Sequence, residues 1–426
     1  MLTCISRTAS AQPPDDAAKK YQDQQKHLVQ DISAIKGSLL TKELKGVAAD
    51  PEKDIKGVTG EFEKIERTYR SVIRNGTNRE AGPDFDALKT GLEYRIFALS
   101  DPDIQANYRD LDAAFSNLSR DIIAARSIAN PQDQQQFRQM VCRVALPLLE
   151  KVINEGNLVA RSLAIDILPE METLSPSAVQ RRLEMFDEVD DALIRILKDE
   201  KQPDVVKLRA ASSIKRFLEK ADAVPQVQLA LADAMVAELK KPVTAWEYQY
   251  YLIEALTHTN VPREVVGVKK ASILEAMAEV MQDTRRDILV RCAAAGAVGK
   301  IGFDSQINFE PLAWKTAQLA VEAGLTIGQQ PPSTRRELCG WHLYTAFHHE
   351  TAAGLNNSRN PEGMLNRAAN NEVVRAAYEH VLPIAKSLMF SKGAVGNNDV
   401  LKTNGWVRES KPASLAFDAS SPPLNP

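Results

Sequence analysis

The chain has 426 residues, with 53 Lys plus Arg against 56 Asp plus Glu and a formal net charge of -3. That balance leaves no global basic field to collect nucleic acid or an anionic membrane surface, and no stretch reaches the roughly 18 consecutive apolar residues of a membrane-spanning helix. The length admits about three domain-sized units or one continuous repeat array, and 44% hydrophobic with only 6% aromatic residues suits packed helices better than β-sandwiches, which want alternating β-branched and aromatic positions.

In chain order, residues 1–14 read as a leader. Ala9-Ser10-Ala11 before Gln12 has the small-residue form of a signal-peptidase site, although the basic region and the apolar run of roughly 7 to 15 residues that should precede it are missing. Two readings stand, a signal-peptide remnant cleaved after Ala11 in an exported periplasmic or extracellular protein, or a disordered leader of a cytoplasmic one; the first is preferred. Over 15–130 the apolar residues recur at helical spacing in four stripes: Leu28, Ile32, Ile35 and Leu39; Phe62, Ile65, Tyr69 and Val72; Phe85, Leu88, Leu92, Ile96 and Leu99; and Tyr108, Leu111, Phe115, Leu118 and Ile122. Asp50-Pro51, Asn75-Gly76, Gly82-Pro83, Asp101-Pro102 and Asn130-Pro131 punctuate them, as turn chemistry requires. An N-terminal helical region follows.

Beyond it the spacing predicts five successive helix pairs: 134–154 with 158–171, 177–198 with 203–220, 225–240 with 244–257, 263–282 with 285–301, and 311–323 with 333–352. Pro147 should kink the first of these helices, because it removes a backbone donor and crowds the preceding turn. The second helices share a pattern: Asp204-Val-Val-Lys-Leu-Arg209-Ala-Ala-Ser-Ser-Ile, Asp287-Ile-Leu-Val-Arg291-Cys-Ala-Ala-Ala-Gly-Ala-Val-Gly-Lys-Ile301 and, more loosely, Leu158-Val-Ala-Arg161-Ser-Leu-Ala. Arg209 and Arg291 are 82 residues apart, twice 41, a period within the range of HEAT and armadillo units.

On these residues the chain resembles HEAT-repeat proteins over about 134–352. The helix beginning at Trp246 departs from the pattern by carrying Tyr248, Tyr250 and Tyr251 where small residues are usual. The resemblance implies an all-α protein: an α-solenoid of about five stacked helix pairs across 131–390, since one pair cannot bury both its apolar faces and neighbours share a core. It implies an architecture rather than a chemistry. The Gly- and Pro-rich segment 391–426 reads as a disordered tail, in which Trp406 is expected to dock back onto the body.

Candidate chemistry is sparse. Cys4, Cys142, Cys292 and Cys339 are too few for a disulfide scaffold and form no CxxC pair; in an oxidising compartment the last three stay reduced if burial holds them apart. Cys339, His342, His348, His349 and Glu350 invite a metal reading, but His342 and His349 lie about 10.5 Å apart along a helix axis, too far for one zinc ion. Gly296, Gly299 and Gly302 with Lys300 fail the phosphate-loop pattern and fit close helix packing instead. The run Asp187-Glu188-Val189-Asp190-Asp191 reads as a solvated helix face. Arg161, Arg209, Arg291 and Arg336 recur near the starts of second helices, where the resemblance implies that Asp204 with Arg209 and Asp287 with Arg291 bridge neighbouring units; the competing reading is a row of cations for an acidic partner. The expectation is a non-enzymatic scaffold that binds another protein or peptide, not nucleic acid, along the inner surface. Its partner-binding candidates are Trp246, Tyr248, Tyr250, Arg209 and Arg291, and no catalytic, metal or cofactor residue is assigned. The alternatives are a metal-binding protein or hydrolase-type enzyme using His342, His348 and His349, and a structural spacer.

Overall fold

The computed structural model describes residues 55–76 (55–63 as backbone), 80–123, 128, 130–174, 184–221, 223–242, 244–259, 273–301, 307–348, 363–368, 370–416 and 423–424. The described residues form seventeen α-helices, two 3-10 turns and two strands of two and three residues, so the chain is all-α as expected. The predicted leader, including Ala9-Ser10-Ala11, lies outside the described residues.

The chain divides into two compact units, Met1–Leu174 and Ser175–Pro426. The first contains α1 (Ile55–Asn75), α2 (Pro83–Ala98), α3 (Pro102–Ala106), α4 (Tyr108–Ile122), α5 (Pro131–Glu155), α6 (Leu158–Ile167) and the strand β1 (Glu172–Leu174). Its core is built on α2, which packs against α1, α4 and α5. Leu88, Leu92 and Ile96 step along α2 by four and are fully buried with Tyr69 of α1, Leu118 and Ile122 of α4, and Phe137 and Val141 of α5. Gly91 is required there, since a Cβ would stand 2.2 Å from the Tyr69 ring. The Tyr69 hydroxyl donates to Asp121 at 2.7 Å, and Arg95 pairs with both Asp121 and Glu66 at 2.7 Å, so one polar network ties α1, α2 and α4. The first compact unit extends past the boundary expected at 130/131, to 174/175, because α5 packs on α2 and α4 as well as on α6 and β1. The α5 helix runs through Pro147.

The second unit contains β2 (Glu184–Met185), α7 (Glu188–Lys198), α8 (Asp204–Lys220), α9 (Pro225–Leu239), α10 (Trp246–Leu256), α11 (Ile273–Gln282), α12 (Ile288–Lys300), α13 (Glu310–Leu325), α14 (Thr334–Phe347), α15 (Met364–Arg367), α16 (Glu372–Phe390) and α17 (Asn397–Glu409). Local chemistry sets the starts: Asp287 accepts from Leu289 N, Ser333 from Arg336 N and Asn371 from Val374 N, each satisfying an otherwise orphaned donor, and Pro225 and Pro311 occupy the first turn, where no donor is needed. The helices alternate between two rows. In the first, α7 lies beside α9, α9 beside α11, α11 beside α13 and α13 beside α17; in the second, α8 lies beside α10, α10 beside α12, α12 beside α14 and α14 beside α16.

Three expectations need correcting in this unit. The helix predicted over 177–198 begins only at Glu188, because Glu184 and Met185 are extended. Asp190 in the acidic run is buried rather than outward-facing, and burial raises its carboxyl above the ordinary value. Most important, 391–426 is not a disordered tail throughout. Asn397–Glu409 is a helix whose Val400, Thr403 and Val407 are buried at spacings of three and four, and Trp314 Nε1 donates to Val407 O at 2.8 Å. Trp406 is half-buried and stacks on His380 with ring centroids 5.3 Å apart.

Candidate functional site

Of the expected site residues, Trp246, Tyr250 and His342 come together on the second row of helices, around α10, α12 and α14. The inner strip of α12 is built from small residues, and Gly296 and Gly299 let α14 approach until a Cβ at Gly299 would lie 2.5 Å from Thr345 O. Longer side chains of α10 and α14 then reach one another across this low strip. Tyr250 Oη and His342 Nε2 share a hydrogen bond of 3.1 Å, and the Arg335 guanidinium sits 4.8 Å over the Trp246 ring, a distance at which the ring quadrupole attracts a cation. Asp287, at the head of α12, pairs with the same Arg335.

Electrostatics around this crossing are tuned mainly by burial. His342 is 2% exposed, and desolvation, only partly offset by Glu254, lowers its imidazole to about 4; it is neutral at pH 7. Burial likewise raises the Tyr250 phenol. Burial opposes ionisation of Glu254, yet Lys300, His342 and Lys215 outweigh it and hold the carboxyl below its ordinary range; Lys215 Nζ lies 3.4 Å from it. His258, 3.3 Å from Glu219, is also lowered by burial despite that carboxylate. His342 Nδ1 has no hydrogen-bond partner among the described residues and faces Gly296, where a Cβ would come within 2.9 Å. The imidazole is therefore wedged between helices, with no room at that nitrogen for a reacting group. Among the described residues no three His, Cys, Asp or Glu side chains converge as a metal set; His349 and Glu350 lie outside the described residues.

The five partner-binding candidates separate by burial. Arg209 is exposed on α8, and Trp246 and Tyr250 are half-buried on α10. Tyr248 and Arg291 are corrected to internal roles. Tyr248 is 1% exposed and donates to Glu238 at 3.0 Å, beside the buried Lys207–Glu238 pair. Arg291 forms a two-point ion pair with Glu322 of α13, one arm at 2.7 Å, and donates through Nε to Met281 O at 3.0 Å. Bridging thus runs from Arg291 to Glu322 and from Asp287 to Arg335, not between Asp287 and Arg291. Arg161 donates to Gly156 O at 2.7 Å. Arg336, fully buried, donates to the carbonyls of Gln330, Ser387 and Gly393. Cys292 and Cys339 are neighbours rather than held apart: after burial, the Cys339 thiol is what raises the Cys292 thiol most.

Sequence reasoning missed the most accessible part of this row. Trp341 and Phe390 are 42% and 77% exposed, and with Leu338, Tyr344, Lys386 and Met389 they line a groove of about 490 Å³ between α14 and α16. The signal available was Trp341, about 100° round its helix from the inward His342, together with a Met389-Phe390 ending on α16 that nothing polar interrupts. Among the described residues no helix is long and apolar enough to cross a membrane. Comparison with known protein families, curated proteins and solved structures returns no match.

Proposed function

We propose that the chain is a non-enzymatic protein-interaction scaffold, a HEAT-like α-solenoid in its second unit, that receives a protein or peptide partner along the row formed by α8, α10, α12, α14 and α16. The observation that carries this reading is the run of outward aromatic side chains on that row: Tyr251 on α10, Trp341 on α14 and Phe390 on α16, with the apolar groove beside the last two. Aromatic anchors in such grooves dominate binding energies where proteins meet, and solenoid rows offer long contact surfaces. Trp246, Tyr250 and Arg209 lie on the same row and remain candidate contacts; Tyr248 and Arg291 are withdrawn as contacts because they are consumed inside.

The test is site-specific photo-crosslinking in the native cell, with the reactive residue at position 341 or 390 and, as control, at the exposed Leu325 of α13. Discrete protein adducts from 341 and 390 but not from 325 are expected. Identical adducts from all three positions, or none from any, overturn the proposal.

A further inference from the structure

We propose that Cys292 and Cys339 join as a disulfide between α12 and α14 when the chain folds in the presence of a low-molecular-weight disulfide oxidant. The two helices run parallel and in register. Gly296 faces His342, and Gly299 faces Thr345 and Ala346, sequence separations of 46, 46 and 47. Cys292 and Cys339, 47 apart, extend that register by one turn, and the Cys339 thiol is near enough to add to the burial that raises the Cys292 thiol.

Proximity of the backbones is the decisive point. A disulfide needs Cα atoms roughly 4.4–6.8 Å apart, which only facing positions of two closely packed helices reach. Here a Cβ at Gly299 would lie 2.5 and 2.6 Å from the carbonyl oxygens of Thr345 and Ala346. The helices touch backbone to backbone along the line that the cysteines continue. Both thiols are fully buried, and Cys142, the other described cysteine, belongs to the first unit.

The exchange balances as follows. One protein thiolate attacks the oxidant's S–S bond, which releases one small thiol and leaves a mixed disulfide. The second protein thiolate attacks the protein-bound sulfur, forms the Cys292–Cys339 bond and releases the second small thiol. In sum the two protein thiols give up two electrons and two protons, and the oxidant carries them away as two thiols. Burial, with the neighbouring thiol, raises Cys292 well above its ordinary value, so thiolate is scarce once the helices have closed. Bond formation therefore accompanies folding, and the closed bond is shielded from reductants.

The full chain is unfolded in denaturant and refolded either with a mixture of glutathione and glutathione disulfide or with dithiothreitol, then alkylated in denaturant and mapped by mass spectrometry. In the glutathione sample two of the four cysteines are expected to escape alkylation, the mass before alkylation to fall by about 2 Da, and one linked peptide pair to contain Cys292 and Cys339. Its Tm should exceed that of the dithiothreitol sample by roughly 5–10 °C. Cys142→Ser should leave the result unchanged, and Cys339→Ser should abolish it. Should Cys339→Ser fail to fold, the wild-type peptide map decides alone. Four alkylated cysteines in a natively helical refolded sample, or a link through Cys4 or Cys142, overturn the proposal.

Discussion

Glycine and histidine decide how near α12 and α14 come to each other. Because a Cβ at Gly299 would meet two backbone carbonyls rather than a flexible side-chain end, Gly299→Ala should lower unfolding stability by about 1–3 kcal/mol, read as a shift in urea midpoint with unchanged m. His342 makes the same crossing sensitive to acid. Above pH about 6.5 the imidazole is neutral both folded and unfolded; below that, the unfolded chain takes up a proton that the folded chain resists down to about 4. Stability should thus fall as pH drops from about 6.5 to about 4, by about 3 kcal/mol in sum. Glu254, Lys300 and Tyr250 face the same ring, so the test is the difference between wild type and His342→Gln across that window, which should rise toward neutral pH; a flat difference refutes it. Position in sequence foretold the small residues of α12 as a packing strip, because Gly296 and Gly299 share one helix face. It could not foretell that Tyr248 points inward while Tyr250 reaches His342. Two residues on a helix face nearly opposite ways, and which way is inward depends on neighbours 10 residues off in Glu238 and 92 off in His342.

For whole elements, the periodic apolar stripes made α2, α4, α5, α8, α9 and α12 legible, since each buries its stripe against a neighbour. The α17 helix was not legible. Asn397, Asn398, Asn404 and Gly405 are weak helix formers, and only packing of Val400, Thr403 and Val407 against α13 and α16 overrides them. A chain ending after residue 396 should therefore lose more than about 3 kcal/mol, from two buried valines and the uncovered Trp314, visible as a lower Tm and a red shift in tryptophan fluorescence. The Arg291–Glu322 pair was misassigned for a related reason: its partner lies on the next first-row helix, 31 residues away, and nothing local marks it. Arg291→Ala should cost about 3 kcal/mol by stranding Glu322 and opening the Met281 carbonyl, somewhat less if the half-exposed carboxylate rehydrates. A double cycle with Glu322→Gln measures the coupling.

Across the whole molecule, the division at Leu174 and Ser175 predicts that a fragment spanning 175–426, expressed alone, keeps helical circular dichroism and one cooperative urea transition; a gradual, non-cooperative loss would contradict it. Sequence periodicity had drawn that line some 44 residues early, because α5 and α6 look like one more repeat pair until the helices that cover α5 are known.

The last two long helices reverse the order that precedes them. From α7 to α14 each pair contributes first to the row of α7, α9, α11 and α13 and then to the row of α8, α10, α12 and α14. In contrast, α16 extends the second row and α17 returns to the first, beside α13. A duplicated helix pair spliced after residue 409 would meet its neighbour with rows exchanged, while one spliced between α12 and α13 would meet matching surfaces on both sides. Lengthening of this array toward its C-terminal side, by gene duplication or by an engineer, therefore has to happen from within.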